Sequence, residues 1–171
     1  MADYIWELGI DWEAVQTGGV GYLRSGLTKN VNTPPEPDLF MPVSGTEPTS
    51  SGVTIVFKIF DLRSNPSAEP PVRKVAKIWS FVILTQAAVQ GQSIGNPLDS
   101  LQPAIQNQDP TSALSKAFGH DYYSWTTDPV KVTPEAASKR FLLTVQLQAT
   151  GTDGVTRFFS HDPEMAVGPN G

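Results

Sequence analysis

The feature that most constrains the fold is an alternation of apolar and polar side chains that leads into a hairpin turn. From Phe141 to Ala149 every odd-numbered position is apolar, whereas the even-numbered positions after Leu142 are polar. Because successive side chains of a strand point to opposite faces, this pattern predicts a strand with one face on a core and one in water. Asp153 and Gly154 tolerate the positive φ that a tight hairpin requires. We therefore expect a β-hairpin whose return strand runs over 155–160.

Comparable patterns elsewhere predict an all-β chain. The opening segment alternates aromatic and aliphatic residues with polar ones, and the long apolar run after residue 72 indicates a strand with a bulge or bend near Ser80. Strands are expected at 4–12, 20–24, 53–62, 72–84, 121–126, 140–149 and 154–160. Such a series, joined by turn-rich loops, predicts an antiparallel β-sandwich of jelly-roll or Ig-like type, with a barrel as the alternative closure.

Helical signals are few. Two dipeptides, Asn-Pro at 96–97 and Asp-Pro at 109–110, place a capping residue before a proline. They predict one or two short helices inserted around 96–118, at about 97–101 and 110–118. Thr133, followed by Pro and Glu, predicts a single helical turn ahead of the hairpin.

Length and composition favour one domain. A chain of 171 residues buries about 70% of its unfolded surface without needing disulfides or metals. The segment 32–52 is rich in Pro, Thr, Ser and Gly, which indicates an extended arm that packs either on its own body or on another copy. Too little chain precedes this arm to form a separate domain. The prediction is a single β-sandwich domain over 1–171.

The charge balance restricts the partners. The net charge is −5, with 12 basic and 17 acidic residues, so there is no basic surplus to neutralise nucleic-acid phosphates. The absence of cysteine excludes disulfides and thiol nucleophiles. The longest apolar run, near residues 81–84, is too short to cross a bilayer, and no signal-peptide pattern opens the chain. We expect a soluble, cytoplasmic protein that neither binds nucleic acid nor inserts into a membrane.

The two histidines are the candidates for metal chemistry. His120 and His161 are each followed by an aspartate, so a metal-dependent enzyme could combine both imidazoles with one carboxylate. In an extended chain, however, neighbouring side chains point to opposite faces, so that each pair supplies one ligand. Both pairs also stand at turns, where aspartate is common for conformational reasons. No G-x-S-x-G nucleophile motif is present. We predict no bound metal, no cofactor and no catalysis.

An aromatic loop is the candidate for ligand binding. Tyr122, Tyr123 and Trp125 carry flat rings with polar edges, which can stack on sugars or anchor a protein interface. Gln106 and Asp109 could supply polar contacts beside them. The alternative is that at least one of these rings seals the end of the core.

Three segments resemble the bacterial inclusion-body protein family, which includes crystalline inclusion and quorum-regulated proteins. They are Ile10–Glu13 at the end of the opening strand, the strand VTIVFKIFDL over 53–62, and FFSHDPEMAV over 158–167. The resemblance implies a cytoplasmic β-sandwich that self-assembles or accumulates in inclusions, with ligand binding as a further possibility. The family has no established catalytic residues, so none is implied, and the segments 17–52 and 86–119 depart from its pattern.

These observations support three functional hypotheses. The first is a non-catalytic, self-associating β-sandwich with a structural, storage or assembly role, whose partner is a second copy. The second is a lectin-like module that binds a glycan or small ligand through the aromatic loop. The third is a metal-dependent enzyme that uses the two His-Asp pairs.

Overall fold

The computed structural model describes residues 4–15, 20–29, 46–49, 52–61, 73–92, 95–109, 123–162 and 164–167. These residues form strands β1 (Tyr4–Val15), β2 (Val20–Lys29), β3 (Thr46–Thr49), β4 (Thr54–Asp61), β5 (Val75–Ala87), β6 (Ile105–Asp109), β7 (Ser124–Thr127), β8 (Val130–Lys131), β9 (Arg140–Gly151), β10 (Thr156–His161) and β11 (Glu164–Val167). A 3₁₀ turn at Pro134–Ala136 confirms the helical turn expected after Thr133. The all-β prediction is confirmed, and all seven expected strands are present.

Hydrogen bonds join the described strands in one path. Strand β9 pairs with β5 on one side and with β10 and β11 on the other. Beyond β10 the path continues through β2, β1 and β4 to β7 and β6, with β8 also on β4. Most pairs are antiparallel, as predicted, but β1–β4, β2–β10 and β3–β11 are parallel. The alternation of side chains is the same in both arrangements, so the sequence pattern could not separate them.

Strand β5 and the segment that leads into β6 approach each other. The backbone N–H of Ile83 in β5 donates to the carbonyl oxygen of Leu101, a few residues before β6, at 2.8 Å. The strands thereby enclose one apolar core, to which every odd-numbered residue from Phe141 to Ala149 contributes, as the alternation predicted. The ring of Phe57 is fully buried in this core, with its centroid 5.5 Å from that of the Trp6 ring and 5.0 Å from that of the Phe81 ring.

Two local features of the hairpin and of β5 follow from their sequences. Gly154 has φ +78°, the left-handed conformation that the turn between β9 and β10 needs and that glycine adopts without steric penalty. In β5 the pairing with β9 shifts register between Ile78 and Ser80, which confirms the expected bulge. This bulge changes the alternation of the strand, so that the Trp79 side chain faces outward.

The predicted helix at 97–101 is wrong, and residues 110–118 lie outside the described part of the chain. The side-chain oxygen of Asn96 accepts a hydrogen bond from the N–H of Leu98 at 3.3 Å, which makes a turn instead of a helix cap. Leu98 then forms a bridge to Val132 and is buried. The N–H of Asp99 donates to the carbonyl of Lys131 at 2.9 Å. Backbone groups that would close a helical turn are therefore bonded to a neighbouring strand.

The C-terminal end of the 32–52 arm packs on its own body. Strand β3 pairs in parallel with β11 of the same chain, and apart from Gly52 the remainder of the arm falls outside the described residues. In the described ranges no helix is long and apolar enough to cross a membrane.

Candidate functional site

Of the aromatic loop predicted from the sequence, Trp125 is part of the core. Trp125 is 6% exposed and belongs to the core, whereas Tyr123 is half-buried against it and Tyr122 lies outside the described residues. The guanidinium carbon of Arg73 lies 5.0 Å from the Tyr123 ring centroid and 5.7 Å from that of Trp125. At Trp125 the structure matches the alternative reading, in which a ring of this loop seals the core.

Gln106 and Asp109 are brought beside this loop by strand pairing. Gln106 stands opposite Thr126, and Asp109 opposite Ser124, in the β6–β7 register. The exposed Gln106 side chain donates from Nε2 to Oδ1 of Asp128 at 2.6 Å. Because Gln106 shares a face with Thr126, it points away from the face that carries Trp125. Gln106 and the Trp125 ring are therefore neighbours in the sheet without sharing one described surface.

The two histidines cannot be placed together, because His120 lies outside the described residues. His161 is partly buried at the end of β10, where burial lowers the pKa of its imidazole and the neighbouring Asp162 carboxylate opposes that effect. Over the ranges that the structure describes, no three His, Asp or Glu side chains are grouped so that they could hold a metal ion. The metal-site hypothesis stays a prediction.

A pair of buried acids on β1 was missed. Asp11 is 5% exposed, and Glu7 on the same face is 2% exposed. Burial raises the pKa of Glu7 to about 7, although the ammonium of Lys58, its register partner on β4, lowers it. The Oε2 atom of Glu7 has no hydrogen-bond partner in the described structure. This carboxyl can exchange a proton near neutral pH, but its burial keeps it from solvent.

A different surface carries the exposed aromatic rings. We call the outward side chains of β5, β9 and β10 the outer face. It holds Trp79 (57% exposed) and Phe158 (59%), together with the exposed leucines Leu84 and Leu142. Large apolar patches on a folded chain are uncommon and often mark a contact surface. The outer face is therefore the strongest candidate for a functional site among the described residues.

The Trp79 indole is held in place on this face. Its Nε1–H donates to Oγ1 of Thr150 at 2.7 Å, and that oxygen lies 2.8 Å from Oγ1 of Thr156 on β10. The Lys77 ammonium lies 3.6 Å from the indole centroid, in a cation–π contact. An indole fixed by two neighbours, Thr150 and Lys77, loses little conformational freedom when something packs against it, which favours binding.

The centre of the outer face is polar and uncharged. Gln148 on β9 stands opposite Ser80 on β5 and Phe158 on β10, and Gln146 stands opposite Val82 and Ser160. Amide and hydroxyl side chains can both donate and accept hydrogen bonds. The face therefore offers two aromatic flanks around a neutral, hydrogen-bonding centre.

Two signals in the sequence could have revealed this face. Adjacent residues of a strand point to opposite faces, so Phe158 and Phe159 cannot both face the protein core. Phe159 is the buried one. Leu142 is the one apolar residue at the polar positions of the β9 alternation. The sequence carries no such signal for Trp79, because the exposure of its side chain depends on the bulge in β5.

Comparisons with protein-family models, with curated proteins and with solved structures found no match. The resemblance to inclusion-body proteins therefore rests on its three segments.

Proposed function

We propose that this chain is a non-catalytic, self-associating β protein whose contact surface is the outer face of β5, β9 and β10. The observation that carries the proposal is the exposure of Trp79 and Phe158, each more than half accessible, on one face whose centre is uncharged. Aromatic side chains of this kind supply most of the free energy in protein interfaces.

A second copy is the partner that suits this face best. The chain carries a net charge of −5, yet the outward positions of β9 and β10 bear no acidic residue, so two outer faces can meet without opposing acidic groups. The central amides, Gln146 and Gln148, can hydrogen-bond to their own counterparts because an amide is both donor and acceptor. Such self-complementarity is what a symmetric interface requires.

The size of the face predicts weak association. Three strands about 4.8 Å apart, over about seven residues each, cover roughly 350 Å². A stable complex usually buries about 800 Å² on each partner. We therefore expect an equilibrium between monomers and associated copies that shifts with concentration, in place of an obligate dimer.

Sedimentation velocity over a concentration series tests the proposal. Phe158→Ser removes a ring from the outer face, whereas the control Val155→Ser changes a similarly exposed residue (46%) in the hairpin turn. The sedimentation coefficient should rise with concentration for the wild type and the control, and for Phe158→Ser it should rise only at about tenfold higher concentration. A wild type that remains monomeric at the highest concentration would refute self-association. Equal losses in both variants would refute the assignment of the face.

A neutral glycan is the second candidate, because the fixed Trp79 indole and the amides beside it are groups that bind sugars. A glycan array probed with the wild type and with Phe158→Ser would test it. Binding that is lost in the variant supports the candidate, and silence across the array removes it.

The same proposal includes membership of the inclusion-body family, a jelly-roll or Ig-like sandwich closure, and a cytoplasmic location in inclusions. The supporting observations are the three resembling segments and the all-β core. Electron microscopy of cells that express the chain should show inclusions, and a uniformly dispersed protein would contradict this part of the proposal.

A further inference from the structure

The arrangement of the outer face restricts how two copies can meet. Gln148 lies on the central strand, with Ser80 on one side and Phe158 on the other in register. Trp79 is next to Ser80 and reaches Thr150 by its hydrogen bond. The two exposed rings therefore lie on opposite flanks of β9, about two strand spacings or roughly 10 Å apart, and at nearly the same level along it.

We infer that two copies pack face to face about a two-fold axis parallel to β9, so that Trp79 of each copy lies against Phe158 of the other. This inference rests on the proposed self-association. Rotation about that axis exchanges the two flanks and places β5 of one copy over β10 of its partner. Gln146 and Gln148 then lie near the axis, each opposite its own counterpart.

The position of Lys77 argues against the other two-fold arrangement. An axis across the strands would keep β5 over β5, so both Lys77–Trp79 pairs would lie on the same flank. The ammonium of Lys77 lies 3.6 Å from the indole centroid, and two such cations facing each other repel. The axis along β9 separates them and sets each Lys77–Trp79 pair against a neutral ring.

A charge-exchange experiment tests this pairing. Trp79→Lys and Phe158→Glu are prepared as separate proteins, each checked for native near-ultraviolet circular dichroism, and studied alone and mixed by sedimentation velocity. Each variant alone should associate about tenfold more weakly than the wild type, because an interface anchor is lost from both contacts. In the mixture one contact becomes a Lys–Glu pair and the other stays Trp–Phe, so 1:1 association should return.

The matched control mixes Trp79→Lys with Phe158→Lys, which differs only in the sign of the second charge. We expect no recovery in that mixture, because like charges then face each other across one contact. If the wild type associates but neither mixture recovers, or both recover equally, the pairing is wrong while self-association stands. If the wild type does not associate, the inference and the proposed function fail together.

Discussion

Gly151 at the end of β9 lies directly against the indole of Trp12. A Cβ atom at position 151 would lie 2.6 Å from Cε2 of Trp12, closer than any side-chain carbon can approach. The indole has little room to move away from residue 151. The Arg157 guanidinium carbon lies 4.4 Å from the indole centroid, and the Phe159 ring centroid lies 5.5 Å from it. The absence of a side chain at 151 therefore lets the β9–β10 hairpin close onto the opening strand.

Gly151→Ala should consequently destabilise the fold. Adding a methyl group to a filled site costs about 1–3 kcal/mol in the free energy of unfolding. Gly95→Ala is the control, since a Cβ there would meet only Glu135 Cβ at an ordinary 3.5 Å. Urea denaturation of both variants measures the difference, and an equal effect at the two positions would show that the Trp12 contact does not restrict residue 151.

Asp61 stabilises the entry into β5 from inside the protein. Its Oδ2 accepts hydrogen bonds from the N–H groups of Lys74 at 2.9 Å and Val75 at 2.8 Å, and the residue is fully buried. Asp61→Ala leaves both donors without this acceptor, so we expect a loss of about 3 kcal/mol.

Two further variants separate this role from a general sensitivity to mutation. Asp61→Asn keeps an acceptor oxygen and should lose less stability than Asp61→Ala. Asp99→Ala removes an exposed carboxylate that accepts from the Lys131 N–H at 2.8 Å, and should cost only about 1 kcal/mol. Thermal denaturation gives the order, and a larger loss for Asp99→Ala than for Asp61→Ala would contradict it.

Glu7 should make stability fall as pH rises from about 4.5 to about 7. Its pKa is about 7 in the folded protein, against a reference value of 4.5. The folded state therefore holds the proton more tightly, and the stabilisation is complete below pH 4.5 and lost as the pH rises to about 7. The loss amounts to about 3 kcal/mol.

Glu7→Gln removes this titration. Its free energy of unfolding should improve relative to the wild type as the pH rises from about 4.5 to 7, and the difference should be constant above that range. Urea denaturation at a series of pH values measures the difference. A gap that does not change between pH 4 and 8 would mean that Glu7 titrates normally.

Trp125→Ala should destabilise the fold strongly, so it cannot serve as a test of ligand binding. Removing a buried tryptophan costs about 3–5 kcal/mol, and Trp125 is 6% exposed. Phe158→Ala, at an exposed position, should change stability by less than about 0.5 kcal/mol. Thermal melts of the two variants provide the comparison, and a small effect at Trp125 would show that this ring is an exposed platform after all.

The sequence predicted those strands whose burial follows a simple two-residue period. In β9 the odd-numbered residues face the core without exception, and Gly154 supplies the turn that the Asp-Gly pair indicated. The short strands β6 and β8 gave no comparable signal, because a polar stretch such as IQNQD in β6 has no apolar face. The error at 97–101 arose because the Asn96 side chain forms the same local hydrogen bond in a turn as in a helix cap.

The candidate surface was less predictable than the fold. The sequence identifies aromatic residues but not which face of a strand each occupies, so the position of Trp125 was left open and Trp79 was not singled out. The bulge near Ser80 was expected, yet its effect on Trp79 depends on the partner strand that supplies Thr150. The burial of Glu7 and Asp11 depends in the same way on packing over their face, which alternation alone cannot show.

Acrylamide quenching of tryptophan fluorescence at increasing protein concentration tests the central claim most directly. The chain has four tryptophans, of which Trp6, Trp12 and Trp125 are buried, so Trp79 on the outer face dominates the quenching. If the outer face is where copies meet, the quenching constant should fall as the concentration rises and Trp79 becomes covered. A quenching constant that is the same at every concentration, while sedimentation shows association, would mean that the copies meet elsewhere.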